Sequence, residues 1–376
     1  MEQKHMFTNK MIADLLIPVV LEQLLNSIMG TADTMMVSNV GSAAISAVSL
    51  VDSINVLVIQ AFSALAAGGA IVCAQYIGQK NVKRANESAR QVLFIITAIS
   101  VVISLICLVF QKPMLRLIFG SVEAEVMRAS EIYFFYTALS FPFIAAYDSA
   151  ASIFRAQDNT KGPMLISMIS NVMNIAGNAM LIWGFHMGVA GAALATLISR
   201  VFCAVVVLAQ LRQDRQPIVV RDYLKIRPDF RMIRRILSIG IPSGVENSMF
   251  QLGKIAVLSL VSGLGTASLA ANAVGNNIAN FAILPGMSFG FALLTVCAQC
   301  VGAGDFEQVE YYTKHMMRVE YLCLIASNLI VILALPFILS VYNLSDEAAR
   351  YANDIILYHA ACVVTIWPLS FTLPNT

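Results

Sequence analysis

Charged residues are missing from long stretches of this chain. Positions 91–111, 162–199, 255–304 and 321–345 contain no Asp, Glu, Lys or Arg. About 20 apolar residues, at a rise of 1.5 Å each, cross the hydrocarbon layer of a bilayer. The two longest runs therefore each predict a pair of spans, and Gly-rich turns divide them at Trp183-Gly184-Phe185-His186-Met187-Gly188 and at Gly263-Leu264-Gly265-Thr266. The pattern predicts ten helices, near 11–36, 43–76, 90–111, 130–154, 163–184, 188–211, 233–262, 267–301, 318–342 and 352–372.

Composition strengthens that reading. The chain has 376 residues, 58% hydrophobic and 12% charged, whereas soluble domains carry about 25% charged residues. Twenty-four Lys and Arg against 22 Asp and Glu leave a formal charge of +2, too even for a nucleic-acid footprint. The expected fold class is an all-α polytopic membrane protein, with lipid as the solvent for most of its surface. Met1 to Lys10 is short and polar, and Asp14, Glu22 and Asp33 interrupt the first apolar stretch, so no signal peptide is expected. Eighteen of the 24 Lys and Arg fall in the N-terminal segment, in the linkers after even-numbered helices, or on their flanks. That bias places the N-terminus in the cytoplasm, and the expected location is the cell membrane. Seven Cys at or within spans give no secreted disulfide framework, and Cys297-Ala298-Gln299-Cys300 reads as two small buried residues in an apolar helix.

Laid over itself at an offset of 224, the sequence matches. Pro18 meets Pro242, Glu22 meets Glu246, Gly41 meets Gly265, Cys73-Ala74-Gln75 meets Cys297-Ala298-Gln299, and Gly78 meets Gly302. Positions 18–78 give 15 identities without a gap, and the register continues with Ser121, Glu123 and Ala124 on Ser345, Glu347 and Ala348. The chain is read as a duplication with parallel repeats, since six helices precede the linker and the second copy enters from the same side. The expected organisation is an N-lobe over 1–211, a basic cytoplasmic linker over 212–231, and a C-lobe over 232–376. A full second copy would end near 448, so the second lobe is expected to stop after about four helices, two short of the first.

Ionisable and amide groups within lipid mark function, because each is costly unless it faces a cavity or partner. Glu22, Asn26 and Asp33 share one face of helix 1 by helical spacing, and Ser167, Asn171, Asn174 and Asn178 share one face of helix 5. Counted inward from the outer turns, Asp33, Asn178 and Thr196 lie roughly 9 to 12 Å deep, with Asn174 one turn deeper. A carboxylate, two amides and a hydroxyl at matching depth suit a hard cation or a proton, although depth alone does not make them neighbours. Glu22 and Glu246, four residues after a proline in each copy, suit a structural or gating role as well as substrate contact. Asn247, Gln251 and Lys254 form a polar stripe on helix 7. Tyr133 and Tyr136 suit either a cavity wall or an interfacial anchor. Arg200 and Lys254 are the two cations that lie inside predicted spans rather than on their flanks. No enzyme is expected: His5, His186, His315 and His359 form no HExxH motif, and no GxxxxGK[ST] loop occurs for ATP.

The chain resembles the multidrug and toxic-compound extrusion (MATE) transporters. The resemblance rests on Pro18 with Ala32-Asp33-Thr34-Met35-Met36-Val37 before Gly41, Gln75-Tyr76-Ile77-Gly78, Phe154-Arg155-Ala156-Gln157 through Thr160-Lys161 before Pro163, Asn174-Ile175 with Asn178, and Gly188-Val189-Ala190-Gly191-Ala192-Ala193 leading to Thr196. It implies twelve helices in two pseudo-symmetric six-helix lobes that alternate access. It also implies export of small cationic or lipophilic organic compounds in exchange for H⁺ or Na⁺, without a cofactor or an obligate protein partner, as a monomer in lipid. Carried over by residue, the coupling-ion site falls on Asp33, Asn174, Asn178 and Thr196. Glu22, Asn26, Tyr133, Tyr136, Glu246 and Lys254 are the substrate-cavity candidates. The sequence departs from the family pattern at Asn178, where members often carry an acid, at Asp158-Asn159, and at Phe250, where some members carry an acid. The rival expectation, a related flippase of lipid-linked intermediates, calls for a more cationic cavity than Arg200 and Lys254 supply.

Overall fold

The computed structural model describes residues 5–375 except 39, 120–121, 214–215, 222, 224–226, 263, 265 and 342–344. Outside the described residues lie Gly263 and Gly265 of the second predicted turn, Ser121 of the repeat register, the first four residues of the N-terminal segment, and six positions of the basic linker. Among the described residues the chain is helical throughout, with no strand. The helices are α1 (Asn9–Ser38), α2 (Ser42–Gly78), α3 (Val82–Val109), α4 (Gln111–Phe119), α5 (Ala124–Ala156), α6 (Lys161–Asn178), α7 (Val189–Leu211), α8 (Phe230–Ser262), α9 (Thr266–Ala303), α10 (Phe306–Val341) and α11 (Asp346–Trp367). Ten correspond to the predicted spans, and α4 is an additional short helix of 9 residues carrying Lys112 and Arg116. Among the described residues eight segments are long and apolar enough to cross a membrane, those on α1, α2, α3, α6, α7, α9, α10 and α11. With α5 and α8, six long helices come from the first half and four from the second. The protein is an integral membrane protein.

A helix keeps its backbone hydrogen bonds internal, as lipid requires. The exceptions are instructive. Pro18, Pro142, Pro242, Pro285 and Pro336 lie inside helices, each lacking the N–H that would close its turn. Two helices widen into π-helical turns at their ends, α6 at Ala179–Gly184 and α11 at Pro368–Thr372. Such turns recur at functional sites.

Contacts divide the chain into two compact units. One comprises residues 28–248. Within it α2 packs on α5 and α3, α5 on α7 and α3, and α6 on α7. Small residues bring the backbones together, as is usual between helices in lipid. A Cβ on Gly68 of α2 would lie 2.6 Å from the Gly240 nitrogen of α8, and one on Gly240 would lie 2.9 Å from the Leu65 Cα. The other unit comprises residues 1–27 and 249–376. Its core joins Phe7, Ile12 and Leu15 to Phe289, Leu293, Val296, Tyr312 and Met316. Tyr312 Oη accepts from the Phe7 N–H at 2.7 Å and donates to the Phe7 carbonyl at 2.8 Å, which fixes the entry to α1. Thus α1 and α8, the first helix of each repeat, each contribute to both units.

Candidate functional site

The site is built where α1, α6 and α7 bring buried polar side chains together in the unit of residues 28–248. Gly177 and Gly191 let α6 and its π-helical turn approach α7: a Cβ on Gly177 would sit 3.2 Å from the Ala195 Cβ, and one on Gly191 would sit 3.0 Å from the Leu181 carbonyl carbon. In the space this defines, Asn174 is fully enclosed and Asn178 nearly so, while Asp33 and Thr196 are half-buried.

A chain of hydrogen bonds joins all four. Asn178 Nδ2 donates to Asp33 Oδ1 at 2.6 Å and to Asn174 Oδ1 at 3.1 Å. Asn174 Nδ2 donates to Thr196 Oγ1 and to Ser199 Oγ, both at 3.3 Å. Thr196 and Ser199 in turn donate to the Ala192 and Ala195 carbonyls at 3.0 Å each. The sequence places Asp33, Asn178 and Thr196 at one depth, and here Asn174 bridges the amide of Asn178 to the hydroxyl of Thr196. Asn178 is the last residue of α6 before the π-helical turn begins. Its Oδ1 is buried and has no hydrogen-bond partner among the described residues. A buried amide oxygen without a donor is expensive. A cation beside Asp33 would satisfy it, and so would a proton on the carboxyl.

Three residues outside the predicted ion site complete its surroundings. Asp52 on α2 accepts from Asn55 Nδ2 at 3.1 Å and from Tyr133 Oη at 3.4 Å. Arg200, one turn beyond Thr196 on α7, donates from Nη1 to Ser140 Oγ at 2.7 Å. Ser199 receives the second Asn174 bond. Asp33, Asp52, Tyr133 and Arg200 lie within electrostatic reach of one another. The sequence carries a signal for Asp52, since it too is an acid inside an apolar span. It carries none for the pairing across α2, α5 and α7.

The predicted cavity residues do not gather into one set. Tyr133 is buried against Asp52, Tyr136 is half-buried with its ring 5.4 Å from that of Phe135, and Glu246 is exposed, all in the unit of residues 28–248. Glu22 is buried, Asn26 exposed, and Lys254 exposed with its Nζ 5.1 Å from the Phe250 ring centroid, all in the other unit.

The family model MatE matches residues 18–180 and again 242–372. The chain belongs to the MatE family. The two matches begin at Pro18 and Pro242, the residues paired by the internal repeat, so the duplication is a duplication of the MatE unit itself. Over 94% of its length the chain is 29% identical to a Bacillus subtilis protein described as a probable multidrug resistance protein, YoeA, covering 76% of that relative. It is 26% identical to a Thermotoga maritima protein described as a probable multidrug resistance protein, NorM, covering 80% of the chain and 65% of the relative. Among solved structures, a MATE transporter bound to MaL6 superposes with a TM-score of 0.90 at 20% identity, over 97% of this chain and 82% of that one. A Pyrococcus furiosus transporter of the MOP superfamily, described as having a binding pocket of reverse polarity, superposes with a TM-score of 0.89 at 20% identity, over 97% and 81%. The fold of this MatE chain is therefore the all-helical, two-lobed fold of those transporters.

Proposed function

We propose that this chain is a secondary active exporter of small cationic or lipophilic organic compounds, driven by exchange for H⁺ or Na⁺ through alternating access. The carrying observation is the Asp33–Asn178–Asn174–Thr196 chain, with an Asn178 Oδ1 that has no hydrogen-bond partner among the described residues. In this reading the coupling ion is a substrate. Na⁺ would draw on Asp33, the Asn178 and Asn174 carbonyl oxygens and the Thr196 hydroxyl, all hard oxygen donors; a proton would sit on Asp33. Neutralising Asp33 removes the charge that holds a cationic substrate, so binding of one species releases the other. The candidates for substrate contact are Tyr133, Tyr136 and Glu246 in the unit of residues 28–248 and, in the other unit, Glu22, Asn26 and Lys254. The organisation is an N-lobe of 1–211, a linker of 212–231 and a C-lobe of 232–376. The protein works as a monomer in the cell membrane with its N-terminus in the cytoplasm, a reading supported by the cation bias of its linkers. Its relatives YoeA and NorM, described as probable multidrug resistance proteins, support the substrate class.

The flippase reading draws no support from Arg200, because that guanidinium lies within reach of Asp33, Asp52 and Asp148 and is not a free cation for pyrophosphate. Reconstituted protein tests the proposal: a dye cation should leave proteoliposomes under an imposed Na⁺ or pH gradient applied separately. Export under neither gradient would remove antiport.

A further inference from the structure

The helices of the second half enclose an acid that the coupling site does not use. Glu320 is fourteen residues beyond the start of α10 at Phe306 and is 0% exposed. Its Oε1 accepts from Thr372 Oγ1 at 2.6 Å. Its Oε2 is equally enclosed and has no hydrogen-bond partner among the described residues. The indole of Trp367 lies alongside, and Nε1 is also buried without an acceptor among them. Gly286 on α9 leaves room for both: a Cβ there would lie 2.5 Å from Trp367 Nε1 and 3.4 Å from Glu320 Oε1.

Among the described residues no cation offsets a negative charge there. α9 contains no Asp, Glu, Lys or Arg. On α11 the nearest titratable groups are Cys362 and His359, five and eight residues before Trp367, and on α1 they are Asp14 and Glu22. On α10 itself Arg318, Tyr321 and Cys323 flank the acid, and of all these only Cys323 lies within electrostatic reach of it. A carboxylate shut away from water without a cation costs far more than a hydroxyl lacking one hydrogen bond. A metal ion does not fit, because hard cations gather about six oxygens and one carboxylate oxygen beside an indole N–H supplies no such shell. Among the described residues no group of three or more His, Cys, Asp or Glu could hold a metal.

We propose that Glu320 is a proton-binding site in its own right, carrying the proton on Oε2 while Oε1, the carbonyl oxygen, accepts from Thr372, and that it gains and loses that proton independently of Asp33. The site stands apart from the exchange mechanism proposed above and is tested without transport. The full chain in lipid nanodiscs is titrated and followed by infrared difference spectroscopy. At neutral pH a protonated-carboxyl C=O band is expected, absent in Glu320→Gln and retained in Asp33→Asn. Thr372→Val should move that band to higher frequency, because the carbonyl loses its hydrogen bond. On raising the pH through the transition, Glu320→Gln should release one proton fewer per chain than wild type. Identical carboxyl bands in wild type and Glu320→Gln would overturn the proposal. Should Glu320→Gln fail to fold, the Thr372→Val band decides alone: an unshifted band overturns the assignment.

Discussion

Replacing Asn178 by Asp probes the site most sharply, because the change keeps the side-chain shape and converts a donor into a charge. In the present arrangement Asn178 Nδ2 gives Asp33 Oδ1 a 2.6 Å hydrogen bond and Asn174 Oδ1 a second at 3.1 Å. In Asn178→Asp both donors vanish and two carboxylates face each other, their charge centres about 4 Å apart. At an effective dielectric constant of about 20 that repulsion is about 4 kcal/mol, which a cation or proton between them relieves. Converted at about 1.4 kcal/mol per decade, cation affinity should rise by up to about a thousandfold. Trp183, five residues beyond Asn178, provides the signal: intrinsic fluorescence titrated with Na⁺ at high pH, and with H⁺ in the absence of Na⁺. Whichever ion couples should bind at least tenfold more tightly, and export should slow at release. Unchanged affinity for both ions, in a variant that folds, would refute the placement of the coupling ion between these side chains.

Arg200→Met removes the positive charge within reach of Asp33 and Asp52, so the same titration should show tighter cation binding, whereas Arg200→Lys should match wild type; weaker binding in Arg200→Met would contradict the electrostatic reading. Gly240→Val forces side-chain atoms against the Leu65 backbone and should cost about 1–3 kcal/mol by overpacking, seen as a lower melting temperature in detergent; an unchanged transition would deny the close contact of α2 and α8. Tyr312→Phe deletes the paired hydrogen bonds to Phe7, each worth about 1 kcal/mol, and should speed amide exchange at Phe7 while leaving the Asp33 site intact.

Much of the fold is written in the charge-free runs, because a spanning helix must be long and apolar whatever it packs against. The ends are less legible. α10 starts at Phe306, well before the predicted 318, since Glu307, Glu310, Lys314 and Arg318 ride on a helix that is already wound outside the apolar run. Glu320 falls two residues inside the predicted start and just before the charge-free run, so nothing in the pattern marks its depth; in the structure it lies well inside α10, enclosed by α9 and α11. α4 escapes the pattern because nine residues interrupted by Lys112 and Arg116 are too short to read as a span. Depth counting puts Asp33, Asn178 and Thr196 at one level, with Asn174 a turn deeper, because rise per residue is fixed by helix geometry. It cannot find the Asp52–Tyr133 contact or the Arg200–Ser140 bond, which depend on rotation and packing of neighbouring helices. Nor can it show that the first turns of α1 pack with α9 and α10, a consequence of where Phe7, Ile12 and Leu15 find their apolar partners.

The proposed exchange requires a negative charge at Asp33. Export of a dye cation from proteoliposomes holding wild type or Asp33→Asn, with insertion quantified and Na⁺ and pH gradients imposed in turn, measures it directly. Wild type should export under a gradient, and the folded variant, whose amide keeps the size but not the charge of the acid, should not. Gradient-driven export by Asp33→Asn at the wild-type rate would contradict it.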